Sequence, residues 1–169
     1  MTTSAANIPV AQTPPGGWTD WPEPVLAGCT EPLIDGAPDL RGVWRTIEVT
    51  DDAGFALPRH PALRLVQRIE QCGDRIVVTA GGVIHDMRCD GTEANGVHDV
   101  AEFDKATRIV VVATYEDDVH VLRPVGLPIE VTRWRDGEDL MWKYVGFTAR
   151  CERIGPPEFD PTDQEATRT

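Results

Sequence analysis

The chain has 169 residues, of which 41% are hydrophobic and 26% charged, with a formal net charge of −12 at pH 7. This length predicts one domain with a sizeable core. The negative charge excludes a nucleic-acid partner and adsorption to an anionic membrane, because both require clustered Lys and Arg. The sequence contains neither a long apolar span nor a secretory leader at its start, so we expect a cytoplasmic protein.

Residues 1–38 are predicted to form an extended N-terminal arm. Its first part is rich in Pro and Gly, as at residues 14–17, which predicts disorder. Its second part contains Trp18 and Trp21, which are too apolar for a free tail. A capping pattern there predicts a short helical turn at residues 21–27. The arm is either a lid over a ligand entrance or a strap in an outer groove.

Residues 39–154 are predicted to form an all-β domain. Ten runs alternate apolar and polar residues and end at turn signals: 40–49, 63–71, 75–79, 83–89, 97–103, 108–115, 119–123, 129–135, 140–145 and 147–154. This spacing indicates a sandwich or barrel, and we expect an antiparallel up-and-down β-barrel of about 8–10 strands. Residues 61–73 also fit a helix, although the turn at Gly73 favours a strand. Residues 155–169 form a polar tail that we expect to be disordered.

The four cysteines, Cys29, Cys72, Cys89 and Cys151, contain no CxxC spacing, which argues against a zinc or redox motif. In a reducing cytosol we expect free thiols, with a structural disulfide as the less favoured alternative. No two histidines have metal-ligand spacing on one predicted strand. We therefore predict neither a metal site nor a cofactor.

Gly42-Val43-Trp44 on the first strand resembles the Gly-x-Trp signature of the lipocalin-like (calycin) barrels. The hairpin at residues 69–78 is similar to one that is common in bacterial lipocalin-like domains. The resemblance covers residues 39–154. It implies an antiparallel barrel that is open at one end and binds a small apolar molecule. It also implies that Trp44 packs at the closed end beneath an Arg of the last strand, either Arg150 or Arg153.

The two-residue strand period places several side chains on inner faces. His85 shares a face with Met87, and folding the next strand back puts His85 diagonal to Asp99, about 7–8 Å away between backbones. A His–carboxylate pair in an apolar pocket can act as a general acid or base. His85 and Asp99 are therefore the catalytic candidates, and solvent-facing positions for either are the alternative.

His85, Met87 and Asp99 are also ligand-binding candidates, and the other ligand-binding candidates are aromatic or basic. Tyr115, Trp142 and Tyr144 suit a cavity wall or an ordinary core equally. Arg133, if it faces inward, would bind an acidic head group such as a carboxylate or enolate. His120 is either inward-facing or partly exposed beside an acidic turn. Trp21 would be contributed by the arm.

Two functions follow from a barrel with such a pocket. The first is binding of a small, mostly hydrophobic molecule in the barrel interior. The alternative is a cofactor-free isomerase or cyclase, for example of natural-product biosynthesis, that uses the same pocket with the arm as a lid. A barrel filled by its own side chains would instead indicate an interaction module. A homodimer is left open.

Overall fold

The computed structural model describes residues 4–162. Ten strands form one antiparallel sheet: β1 (Gly42–Thr50), β2 (Val66–Cys72), β3 (Arg75–Ala80), β4 (Val83–Arg88), β5 (Val97–Val100), β6 (Arg108–Glu116), β7 (Val119–Pro124), β8 (Val131–Asp136), β9 (Asp139–Tyr144) and β10 (Phe147–Gly155). Each strand pairs with its neighbours in the chain, except that β1 pairs with β10 and β4 does not pair with β5. The two unpaired strands lie side by side, which leaves a seam in a nearly closed barrel. The predicted antiparallel, up-and-down barrel is confirmed.

The strand β2 resolves the ambiguity at residues 61–73. Val66–Cys72 is extended and pairs with both β1 and β3. All seven of its residues are buried, because its inner face lies in the core and its outer face lies under other parts of the chain. A strand that is buried on both faces loses its alternating pattern, which explains why the sequence also fitted a helix.

Residues 34–40 close one end of the barrel. The Ile34 N–H donates to the Gly73 carbonyl, and Gly36 O accepts a hydrogen bond from the Asp118 N–H, so this segment joins two turns across the opening. Leu40 is fully buried beneath it. The Trp44 indole donates to the Leu40 carbonyl at 2.9 Å. Trp44 therefore lies at the closed end, as the resemblance implied.

The arginine over Trp44 comes from a different strand than expected. The guanidinium carbon of Arg135, on β8, lies 5.3 Å from the centre of a Trp44 ring. Arg150 instead faces outward and pairs with Asp136 and Asp139. Arg153 reaches this end, where its side chain fills the space beside Gly42. The last strand thus supplies a neighbour of the tryptophan, while β8 supplies the stacked cation.

The arm lies along the outer face of β2, β3 and β4. The outward side chains of Cys72, Val77 and Ile84 pack with Ala5 and Leu26 in a second apolar cluster outside the barrel. Among residues 4–17, the Ala11 and Thr13 N–H groups bond to carboxylates of the barrel, so the disorder expected for this part is not found. Residues 1–3 lie outside the described residues.

The helical turn expected at residues 21–27 is wrong. The structure contains only bends and a turn there. The backbone N–H groups of Val25 and Leu26 donate to the Glu70 carboxylate at 3.0 and 2.7 Å. Because these donors bind a side chain of β2, they are not available for helical hydrogen bonds. Packing against the barrel has overridden the local capping signal.

A disulfide joins Cys29 of the arm to Cys72 of β2, so the expectation of four free thiols is wrong for this pair. The other two, Cys89 and Cys151, are free and buried. The two bonded residues are 43 positions apart, and only the docking of the arm brings them together. Disulfides persist mainly in oxidising compartments, so the cytoplasmic location stays a prediction without support from the thiols.

The C-terminal segment is placed as far as residue 162, where the tail was expected to be disordered. The Phe159 ring packs against Gly155, and the Phe159 carbonyl accepts a hydrogen bond from Arg68 at 3.3 Å. The rest of the predicted tail, residues 163–169, lies outside the described residues. Between residues 4 and 162, no helix is long and apolar enough to cross a membrane.

Candidate ligand-binding site

A cavity of about 430 Å³ lies at the open end of the barrel, opposite the segment that closes the other end. It lies among the β1–β2 connection, the β3–β4 and β9–β10 turns and the β5–β6 loop. Its lining residues are His60, Pro61, Ala62, Leu65, Gly81, Glu102, Phe103, Tyr144, Val145 and Phe147. A mostly apolar cavity of this volume is of the size that holds a small molecule.

Aromatic rings form one wall of this mouth cavity. The ring centres of Phe103 and Tyr144 are 5.9 Å apart, and those of Tyr144 and Phe147 are 5.8 Å apart. The His60 ring lies 4.3 Å from that of Phe147. Phe103 is 67% exposed, so an apolar ring faces solvent at the entrance. Such exposed apolar surface beside a cavity is typical of a binding site.

Two polar side chains reach the mouth cavity. His60 Nδ1 accepts a hydrogen bond from the Ala62 N–H at 3.0 Å, which leaves the ring proton on Nε2. The Glu102 carboxylate lies over Gly81, where a Cβ atom would collide with it. Burial, together with the negative charge of Glu102, raises the pKa of Tyr144 above its ordinary value. The cavity therefore offers two hydrogen-bond donors, His60 Nε2–H and the Tyr144 hydroxyl, and one carboxylate.

Below the mouth cavity, Trp142 and Arg133 fill the barrel. The Trp142 ring meets Phe147 edge-on at 5.4 Å, and the Arg133 guanidinium lies 5.5 Å from a Trp142 ring centre. Arg133 Nε donates to the Gln67 side-chain oxygen at 3.0 Å. Burial lowers the pKa of Arg133 to about 10, so it remains charged at neutral pH.

His120 lies beside Arg133 in the barrel interior, since the two residues are paired between β7 and β8. It is fully buried, which settles the alternative of partial exposure. Burial and the nearby Arg133 charge lower the pKa of His120 to about 3, so its ring is neutral. Both His120 nitrogens, Arg133 Nη1 and the Trp142 indole nitrogen are buried without a hydrogen-bond partner among the described residues. These atoms have almost no accessible surface, so side chains fill the barrel at this depth.

Tyr115 and Met87 lie deeper, towards the closed end. The Tyr115 hydroxyl accepts a hydrogen bond from the Gln71 amide at 3.0 Å, and burial raises its pKa strongly. Met87 is 2% exposed and belongs to the inner core. Neither residue lines the mouth cavity. In this structure they are core residues, and Met87 also borders a second cavity outside the barrel.

His85 and Asp99 do not form the expected pair. His85 Nε2 is 2.9 Å from the Val100 carbonyl oxygen. The Asp99 carboxylate accepts hydrogen bonds from the backbone N–H groups of Thr13 and Val100. The predicted diagonal geometry required β4 and β5 to pair as neighbouring strands, but the seam lies between them. The Asp99 carboxylate binds the arm instead.

A second cavity, of about 380 Å³, lies outside the seam between the arm and the β4–β5 loop. Its charged lining includes Arg75 and Asp86, which bind each other and the arm backbone. Those contacts satisfy Arg75 and Asp86, and Arg88, the third charged residue of the lining, pairs with Asp74 at 2.9 Å. Trp21 lies elsewhere on the outside, with the Arg68 guanidinium 5.4 Å from its ring, so it does not reach the mouth cavity.

Of the predicted ligand-binding residues, only Tyr144 lines the mouth cavity. Sequence reasoning missed Leu65, Glu102, Phe103 and Phe147, which lie in or next to the connections between strands. The signal that they offered was a large apolar side chain beside a turn, as with Phe103 and Phe147. Within residues 4–162, no group of three or more His, Cys, Asp or Glu side chains is placed to hold a metal ion.

No family model matches the sequence, and no curated protein matches it. Two solved chains match by structure. One is human cRBP IV, at 14% sequence identity and a TM-score of 0.46. The match covers 69% of this chain and 98% of that chain. At these values the comparison is a likeness of fold and carries no information about the ligand.

Proposed function

We propose that this protein binds a small, mostly hydrophobic molecule at the open end of its barrel. The observation that carries this proposal is the mouth cavity, whose walls include Leu65, Phe103, Tyr144 and Phe147. Burying an apolar ligand against these side chains releases water from both surfaces, which is the main source of affinity in such sites. The packed layer around Arg133 and Trp142 forms the floor below.

A cavity-filling variant tests this proposal. We expect purified protein to bind the neutral dye Nile red, with an increase in fluorescence, and native mass spectrometry to detect any co-purified molecule. Leu65→Trp fills the cavity and should weaken dye binding by about tenfold or more, a loss of roughly 1.4 kcal/mol. Leu127→Trp is the control, because Leu127 is 58% exposed at the same end of the barrel and does not line the cavity. Equal dye binding by wild type and Leu65→Trp would contradict the proposal.

The alternative function is a cofactor-free isomerase or cyclase in the same cavity. It is favoured by one observation, that His60 with a protonated Nε2 and the Glu102 carboxylate line one cavity. An acid and a base on either side of a substrate promote proton transfer, and confinement promotes ring closure. The roles assigned from sequence to His85 and Asp99 would pass to these two residues.

The N-terminal arm discriminates between the two functions. The arm reaches the rim of the cavity, where the Trp18 N–H donates to the Gly82 carbonyl at 2.8 Å. Deletion of residues 1–19 removes Trp18, which contacts the rim, and keeps Cys29 and the segment that closes the other end. This deletion should abolish turnover if the arm acts as a lid over an enzyme site, and should weaken the affinity of a simple binder only modestly.

A further inference from the structure

The mouth cavity contains a carboxylate without a direct ion pair, and the charge of Arg133, buried below the cavity, attracts it only through space. Glu102 is half-buried, and within residues 4–162 its carboxylate has no hydrogen bond or ion pair. Lys105, the nearest cation along the chain, donates instead to the Glu102 backbone carbonyl at 3.1 Å. A neutral apolar ligand would remove water from this carboxylate and give nothing in return, which costs binding free energy.

The surroundings of Glu102 favour a positive charge. Phe103 and Tyr144 form an edge-on pair at 5.9 Å on the cavity wall, next to Phe147. The face of an aromatic ring attracts an ammonium group, and rings combined with a carboxylate are the usual chemistry of quaternary-ammonium recognition. The net charge of −12 also raises the concentration of cations near the surface.

We propose that the ligand of the mouth cavity carries a cationic amine, held between the Glu102 carboxylate and the rings of Phe103 and Tyr144. Its apolar part then lies over Leu65 and Phe147. This inference rests on the proposed function and specifies its ligand class. This cationic ligand differs from the acidic ligand that the sequence analysis assigned to Arg133. Arg133 is buried beneath the cavity, where it donates to Gln67 and lies over Trp142.

Calorimetric titration with three probes of equal chain length tests the inference. The probes are octyltrimethylammonium, 1-octanol and octanoate, each titrated into the full chain at pH 7.5. We expect the cation to bind about tenfold more tightly than the alcohol, and the carboxylate to bind more weakly than the alcohol. Glu102→Gln should bring the affinity for the cation to within about twofold of that for the alcohol.

Glu138→Gln is the matched control, since it removes the same charge from an exposed turn between β8 and β9 at the other end of the barrel. It should leave the order of the three affinities unchanged. Phe103→Leu keeps an apolar side chain but removes the ring. It should weaken cation binding by about threefold and leave alcohol binding unchanged, which supplies a test that does not depend on the folding of the Glu102 variant.

The possible results separate the two proposals. If octanol binds but the cation binds no better, or octanoate binds best, the cationic ligand is overturned while hydrophobic binding stands. An unchanged preference for the cation in Glu102→Gln overturns it as well. If wild-type protein binds none of the three probes, both proposals fail.

Discussion

His120 shows how the barrel interior controls a titratable side chain. It is fully buried beside a charged arginine, and its pKa is lowered to about 3 by burial and by that charge. The unfolded chain would titrate at an ordinary histidine pKa of about 6.5. Between these two values the unfolded state binds a proton that the folded state rejects. Acid therefore destabilises the fold through this one residue.

We predict that replacing His120 reduces the loss of stability in mild acid. Wild-type protein should lose about 2 kcal/mol through His120 between pH 7 and pH 5, since each pH unit below 6.5 contributes about 1.4 kcal/mol. In His120→Phe, the new ring can pack beside Tyr115. Urea unfolding of this variant at pH 7 and pH 5 should not show the loss of unfolding free energy that His120 causes. His98→Gln, at an exposed position, should behave as wild type. A steep pH dependence that persists in His120→Phe would assign the effect to other groups.

The N-terminal arm depends on a buried ion pair of the barrel. Arg75 Nε and Nη2 donate to the Asp86 carboxylate at 2.8 and 2.6 Å, and both side chains are almost completely buried. Arg75 also donates to three carbonyl groups of the arm, those of Ala5, Ile8 and Pro9. One guanidinium thus satisfies a carboxylate and orients the arm over the outer face.

We predict that Arg75→Met releases the arm. The change leaves Asp86 buried without its partner and removes the donors to the arm, so the free energy of unfolding should fall by about 3–5 kcal/mol. Hydrogen exchange of the amides of residues 5–13 should increase more than exchange in β6 to β9. Arg150→Met serves as the control, because its ion pairs lie at the barrel surface away from the arm. Unchanged protection of the arm in Arg75→Met would show that the apolar cluster holds it alone.

At the scale of the whole molecule, the Cys29–Cys72 disulfide joins the N-terminal arm to the barrel, which the sequence predicts as two separate segments. It links positions 43 residues apart. Closing a loop of this length reduces the entropy of the unfolded chain. The remaining thiols, Cys89 and Cys151, have their pKa values raised to about 12 and about 11 by burial, so they are poor nucleophiles in the folded state.

We predict that a dithiol reductant lowers the free energy of unfolding by about 2–4 kcal/mol, measured by urea titration with and without dithiothreitol. Cys29→Ser should be less stable than wild type and insensitive to the reductant. Thiol titration in denaturant should count two free thiols before reduction and four after it. A count of four thiols in air-oxidised protein would show that the bond does not form.

The strands of this chain were predictable because their signals depend only on residues that are close together in the sequence. Alternation of apolar residues and turn signals such as Gly73 act over a few neighbouring positions, and all ten predicted runs became strands. The position of Trp44 at the closed end also followed from a short motif. These features need no knowledge of distant parts of the chain.

The site was less predictable because it depends on contacts between distant segments. The docked arm brings Cys29 to Cys72. The Thr13 N–H of the arm binds the Asp99 carboxylate, which was expected to pair with His85. Trp142 and Arg133 fill the barrel interior, so the cavity lies at the open end of the barrel. Period-2 alternation states which face a side chain occupies. The depth at which a cavity remains depends on how side chains from opposite walls share the volume, and that emerges only when the barrel is assembled.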